Sequence, residues 1–343
     1  MKTKIPSPIS GGVILSYKCS AECRHCMYAC SRKWSNDWIS ESDLVKLMQI
    51  LSDKIVAGPY GIDAISLNHG LHFTGGEPFL NFELLLKAVE ISENYDIPST
   101  FVETNCSWCT DDYIVEDRLT LLKEKGLKGI LISVNPFFLE YVPFERTKRA
   151  VKIAEEIFGD NLFVYQLDYY NRFLEMALHG IITFDEYLKF EKASDFAKNV
   201  EFFMTGRAPY RLKKNMEDVY HKYKAEIFYK TPCRPDFLRS WHNHFDNYGN
   251  FIPGYCGGLT LGSWNDMDDL INEGISLKNH PILGFLVHED IKGLLNFAKD
   301  FGYIECREGY YSKCHVCVDV RKFLVDKGDF KELSPKEFYF HLC

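Results

Sequence analysis

Across the first two hundred residues, short apolar runs alternate with amphipathic helical patterns about every 30 residues, a rhythm that leaves few folds open. Val13 to Tyr17 reads as a buried strand. Ser40 then caps a helix, with Asp43 at the capping-box position and Leu44, Leu47, Met48 and Leu51 along one face. A second strand over 65–73 runs into Thr74-Gly75-Gly76-Glu77-Pro78, followed by a helix faced with Phe82, Leu85, Leu86 and Val89. Further strands are expected over 100–103, 130–134, 161–167 and 200–204, with Ala150, Val151, Ala154 and Ile157 marking the helix after the fourth. Strands and helices in this order join through right-handed crossovers and give a parallel α/β sheet, here of six units. Past Arg207-Ala208-Pro209 the rhythm gives way to a hairpin, glycine-rich turns and small helices around late cysteines. The chain is therefore expected to divide into 1–215 and a smaller part, 216–343. Arg211-Leu212-Lys213-Lys214 reads as a solvated helix face.

The 343 residues carry a formal charge of −8, which disfavours long-range attraction to nucleic acid or anionic lipid. No run of about 18 apolar residues is present to span a bilayer. The start, Met1-Lys2-Thr3-Lys4-Ile5-Pro6, has no apolar signal stretch, which points to a cytoplasmic location. In that reducing compartment the twelve cysteines need an explanation other than disulfides. Cys19, Cys23 and Cys26 place three thiols within eight residues on the loop after the first strand. That density suits zinc or an iron–sulfur cluster, and His25 or Cys30 offers a fourth ligand to zinc. His69 and His72 read as satisfied core histidines.

The triplet and Gly75-Gly76-Glu77-Pro78 both lie at C-terminal strand ends, the edge where parallel α/β folds bind ligands. C-x3-C-x2-C after strand one, with G-G-E-P after strand two, resembles the radical S-adenosylmethionine superfamily over about residues 10 to 205. The resemblance implies a partial (β/α)6 TIM-type barrel. It implies a [4Fe-4S] cluster on Cys19, Cys23 and Cys26, and S-adenosylmethionine on its open iron, cleaved to a 5′-deoxyadenosyl radical. Gly75, Gly76 and Glu77 would then hold the methionyl amino group, and His25 would lie against the adenine. Glu103, Asn105, Ser133 and Asn135 would stand near the ribose and carboxylate; the arginine expected soon after Asn135 comes only at Arg146.

Cys106 and Cys109 replace a glycine common in that family. They are expected at the barrel mouth as packing thiols, as hydrogen-atom donors in catalysis, or as ligands with Cys30 to another metal. Cys233, the Gly249 hairpin before Cys256, and Cys314-x2-Cys317 resemble the twitch or SPASM extensions that carry auxiliary clusters. One auxiliary [4Fe-4S] cluster on Cys233, Cys256, Cys314 and Cys317 is expected, with Cys306 and Cys343 as bystanders and a zinc knuckle as the alternative. The implied activity is oxidative modification of a peptide or protein side chain, with oxidation of an amino sugar as the alternative and a non-catalytic electron carrier as a third reading. A triplet starting at Cys19 is expected to leave no room for a leader-binding domain before it, so a peptide substrate would come with a separate leader-binding protein or need no leader recognition at all. Flavodoxin or ferredoxin would be the external reductant.

Overall fold

The computed structural model describes residues 1–212 and 219–343. The expected division at 215/216, together with Lys213 and Lys214, falls outside the described residues. The strands are β1 (Lys2–Thr3), β2 (Ser10–Ile14), β3 (Gly70–Thr74), β4 (Phe101–Thr104), β5 (Gly129–Ser133), β6 (Leu162–Tyr165), β7 (Asn243–Asp246), β8 (Phe251–Ile252) and β9 (Ile275–Ser276). The first six helices are α1 (Glu41–Leu51), α2 (Phe82–Asn94), α3 (Asp112–Glu124), α4 (Pro136–Leu139), α5 (Phe144–Phe158) and α6 (Leu167–Glu175). Seven strands form one open sheet in the order β6-β5-β4-β3-β2-β7-β8, parallel except for the last pairing, while β1 and β9 form a separate antiparallel pair. With the helices connecting successive strands, this is the expected partial α/β barrel.

The helices start as the sequence dictates. The Ser40 hydroxyl accepts from the Asp43 N–H, and Asp111 does the same for Ile114, which satisfies orphan donors of the first turn. Leu44, Leu47, Met48 and Leu51 of α1 are all buried, and every residue of β2 and β3 is buried, so the core lies around the central strands. Among the described residues no helix is long and apolar enough to cross a membrane.

The sixth parallel strand is not where the apolar pattern puts it. Residues 200–204 form no ladder; the Glu201 carbonyl accepts from Gln166 Nε2 at 2.7 Å, Phe202 packs edge-on to Phe137, and Phe203 stacks on Tyr255. Those aromatics are spent on side-chain packing. The strand beside β2 is instead β7, with Gly12 opposite His244 and Ile14 opposite Asp246. β7 turns through Gly249 into β8, giving the expected hairpin, which extends the barrel sheet. Buried Asp246 holds that turn, accepting from the N–H groups of Tyr248 and Asn250, from Asn250 Nδ2 and from the Tyr17 hydroxyl.

Candidate active site

The loop after β2 is fixed by its own backbone and by one distant arginine. Cys26 N–H donates to the Cys23 carbonyl at 3.2 Å, and Cys19 N–H to the Ser31 carbonyl at 3.1 Å. Arg207 is fully buried beneath the loop; its guanidinium donates to the carbonyls of Cys23 (2.9 Å), Ala29 (2.7 Å), Cys30 (2.9 Å) and His341 (3.0 Å). Gly206 precedes it at φ +54, where a Cβ would stand 2.5 Å from the Cys26 carbonyl oxygen, so the close approach requires glycine. Sequence reading took this segment only as the end of the repeat.

A cavity of about 180 Å³ opens above the loop at the C-terminal edge of the sheet. Cys19, Cys23, Cys26 and His25 line it from the loop, Gly75 and Gly76 from the β3 turn, and Asn105, Glu103 and Ser133 from β4 and β5. Burial pushes the Cys19 thiol up to about 12 and the Cys23 thiol well above its ordinary value, while the Arg207 charge opposes both shifts. Cys26 moves the other way because the Cys30 thiol donates to it. Thiols so desolvated need either protons or a metal, and the buried guanidinium suits an anionic metal–thiolate group. Asn105 Nδ2 lies 3.6 Å from Cys19 Sγ and donates to Ser20 Oγ at 3.1 Å. The His25 ring stacks on Phe137, its Nε2 meets Asn135 Nδ2 at 3.3 Å, and its buried Nδ1 has no hydrogen-bond partner. Desolvation lowers His25 to about 3, so the ring is neutral.

The glycine pair has a structural duty that spacing did not reveal. A Cβ on Gly76 would lie 1.8 Å from the Lys18 carbonyl oxygen, and Gly76 and Glu77 N–H groups donate to the Ser16 and Lys18 carbonyls. The turn thus locks directly onto the cysteine loop. Glu77 does not face the cavity. Its carboxylate accepts from Thr104 Oγ1 (2.9 Å), Asn105 N–H (2.9 Å) and Phe79 N–H (3.3 Å), and burial raises it to about 7. These bonds tie β3 to β4 and spend the carboxylate away from the cavity, where the resemblance places it beside an ammonium group.

Of the three readings of Cys106 and Cys109, their surroundings fit packing thiols, away from the barrel mouth. Both are fully buried, paired with each other and outside the cavity linings; burial, then Cys109, raises the Cys106 thiol. Cys106 has φ +63, the left-handed backbone that explains glycine's preference there. Arg146 donates to the Ser107 carbonyl.

A second cavity, of about 250 Å³, adjoins the first. His25, Tyr28, Glu103, Ser133 and Phe138 line both. Asn135 lines only the second, with its Oδ1 capping α4 through the Phe137 N–H at 3.0 Å.

A third cavity, of about 300 Å³, is lined by Cys233, Cys256, Cys314 and Cys317, with Arg239 and Arg321. Cys306 and Cys343 are exposed and lie outside it. Burial raises Cys256 and Cys314 to about 12 and Cys233 further. The buried Nε atoms of both arginines lack hydrogen-bond partners, and two guanidinium charges beside four thiols fit an anionic metal cluster. Phe203 and Tyr255, stacked with centroids 4.7 Å apart, line the second and third cavities alike.

No protein-family model matches this sequence, and no curated protein matches it. Solved structures similar to it include BtrN in complex with AdoMet and 2-DOIA, at 13% identity over 78% of this chain and 83% of that one, with a TM-score of 0.39. Native anSMEcpe with bound AdoMet is another, at 13% identity over 93% and 96%, TM-score 0.47. A third is SuiB of Streptococcus suis bound to S-adenosylmethionine, at 15% identity over 90% and 77%, TM-score 0.37.

Proposed function

We propose that this chain is a radical S-adenosylmethionine enzyme. In this reading Cys19, Cys23 and Cys26 hold a [4Fe-4S] cluster, and S-adenosylmethionine occupies the cavity beside it. The observation that carries the reading is the meeting of the three-cysteine loop and the Gly75-Gly76 turn, contributed by neighbouring strands, around one cavity at the ligand-binding edge. When bound, the cluster supplies the electron that cleaves S-adenosylmethionine to methionine and a 5′-deoxyadenosyl radical. The chain's own residues bind and position. Arg207 sets the loop carbonyls and offsets thiolate charge, Asn105 donates toward Cys19, and Glu103 and Ser133 offer polar groups to the ribose hydroxyls.

We infer further that Cys233, Cys256, Cys314 and Cys317 hold a fully ligated auxiliary [4Fe-4S] cluster that accepts the substrate's electron. Four protein thiolates leave no open iron. The aromatic partition of Phe203 and Tyr255 supports that role, because among the described residues it alone lines both that cavity and the one at the barrel mouth. The substrate in this account is a side chain of a peptide or protein. A mouth cavity of about 250 Å³ suits one side chain, and Leu67, Tyr165 and Phe203 line it while remaining exposed, an apolar rim for the rest of a larger partner. The polar walls contributed by Asn68, Asn135 and Glu201 favour the second reading, an amino sugar. Anaerobic turnover against peptides encoded in neighbouring reading frames and against amino sugars decides between them. A mass change on a peptide coupled to 5′-deoxyadenosine supports the first; product from sugars alone replaces it with the second.

A further inference from the structure

Behind the mouth cavity, three imidazoles converge that the account above does not use. His72 of β3, His244 of β7 and His242 just before β7 bring one ring nitrogen each to within 4.8 Å of one another, the only such group of histidine, cysteine and carboxylate atoms among the described residues. Ring centroids are 5.1–5.3 Å apart. Glu103 Oε1 stands 3.6 Å from His72 Nε2.

The backbone is arranged to permit this meeting. Gly12 of β2 sits in register between His72 on one side and His244 on the other. A Cβ at Gly12 would lie 2.3 Å from His72 Nε2 and 2.7 Å from His244 Cδ2, so this glycine inside a strand is what lets the two rings face each other. His242 holds φ +53, a left-handed backbone uncommon outside glycine.

The remaining hydrogen bonds fix tautomers. His242 Nδ1 is 3.0 Å from the Leu67 carbonyl, to which it can only donate, leaving Nε2 with its lone pair. The Tyr28 hydroxyl donates to the Gly254 carbonyl at 3.0 Å and so accepts from His244 Nδ1 at 3.0 Å, which leaves the ring's lone pair on Nε2, 3.5 Å from the same hydroxyl. An outer carbonyl or hydroxyl on one ring nitrogen, with the other nitrogen free, is the arrangement of metal-binding imidazole. His72 Nε2 is buried in a residue only 2% exposed and has no hydrogen-bond partner, which revises the expectation of a satisfied core histidine. An orphan of that kind costs stability unless something binds it. Burial keeps all three rings neutral, with His72 lowered to about 3.

We propose that His72, His242 and His244 bind one divalent transition-metal ion of the zinc class at the floor of the mouth cavity. Imidazole is a borderline ligand suited to such an ion, and nitrogens sharing it at about 2.0–2.1 Å lie about 3.3 Å apart, within reach of small ring shifts. His242 and His244 line the cavity, so the ion presents its fourth coordination position to a carboxylate or hydroxyl of a molecule entering there. The ion's residues are distinct from the cysteines, so the proposal stands or falls apart from the radical chemistry.

The test uses the full-length protein, purified anaerobically, with its iron loaded, incubated with Zn²⁺ and desalted. Metal analysis and zinc-edge X-ray absorption are then read together. The proposal expects about one zinc per chain with a shell of nitrogen and oxygen at about 2.0–2.1 Å and no sulfur at about 2.3 Å. His242→Ala and His244→Gln are each expected to lose that zinc while iron content stays unchanged. No retained zinc, a sulfur shell, or full retention in both variants overturns the proposal. Should either variant misfold, the wild-type absorption shell alone decides between nitrogen ligation and none. Should iron fail to load, zinc captured by cysteine is still separated from this site by its sulfur shell.

Discussion

Replacing Arg207 by Met strikes the part of the structure on which the cysteine loop most depends. The guanidinium is fully buried, and its four hydrogen bonds, of 2.7–3.0 Å, end on backbone carbonyls of Cys23, Ala29, Cys30 and His341. Charge-assisted bonds contribute about 1.5–3 kcal/mol each, and because four sharing one side chain do not add, the expected loss is about 4 kcal/mol. Lys retains the charge but is a single point donor without the planar fork, so Arg207→Lys is expected to lose about half of that. Anaerobic denaturant unfolding followed by tryptophan fluorescence reads the change. Trp34 is a local reporter, since its Nε1 donates to the Ala29 carbonyl at 2.9 Å and its ring stacks on Tyr17 and His341. Hydrogen exchange over residues 19–31 should quicken in both variants, and iron loading on the triplet should drop. A Met variant within about 1 kcal/mol of wild type, with unchanged exchange in the loop, would refute the reasoning.

Glu77→Ala strands the Thr104 hydroxyl and the Asn105 and Phe79 N–H groups, and should lower stability by about 3 kcal/mol or more in thermal or denaturant unfolding. The Glu77 carboxyl rises from an ordinary 4.5 to about 7, so the folded state holds the proton more tightly than the unfolded chain. Its contribution to stability therefore falls as pH climbs across that window, and Glu77→Gln should flatten that part of the stability profile. Gly76→Ala, with its Cβ 1.8 Å from a backbone oxygen, should displace the cysteine loop and weaken S-adenosylmethionine binding measured by titration; unchanged affinity rejects the lock between turn and loop. Cys314→Ser with Cys317→Ser should remove about four irons and stop product formation while 5′-deoxyadenosine persists; wild-type product yield rejects the electron-acceptor role. Cys106→Ala with Cys109→Ala should leave product formation intact, and its loss would return those thiols to the chemistry.

How much of this was legible depends on whether the deciding contact is local. The strands at 10–14, 70–74, 101–104, 129–133 and 162–165 lie within or beside their apolar runs, and in the central ones both sheet faces are buried, as continuous apolar runs imply. β7 is the opposite case: Asn243-His244-Phe245-Asp246 reads as polar, yet all four residues are buried, with partners 229 positions away for Asp246. Its burial is bought by polar contacts that no periodicity reports. Phe202 and Phe203 mimic a strand because local apolarity cannot distinguish a ladder from a packed aromatic. The four late cysteines were singled out by their resemblance to a twitch extension, and they line one cavity. The direction of Glu77, the inward turn of Cys106 and Cys109, and Arg207's place 184 positions from Cys23 are properties of the assembled sheet. The histidine cluster escaped for the same reason, since Gly12, His72 and His244 become neighbours only through strand register.

The measurement that bears most directly on the central claim is anaerobic formation of 5′-deoxyadenosine by the iron-loaded full-length protein, given S-adenosylmethionine and a strong reductant. Wild-type protein is predicted to form it. A variant with Cys19, Cys23 and Cys26 all changed to Ala is predicted to form none and to hold about four fewer irons, with the iron at the late cysteines retained. 5′-Deoxyadenosine made by that triple variant at the wild-type rate, or none made by an iron-loaded wild type, contradicts the account.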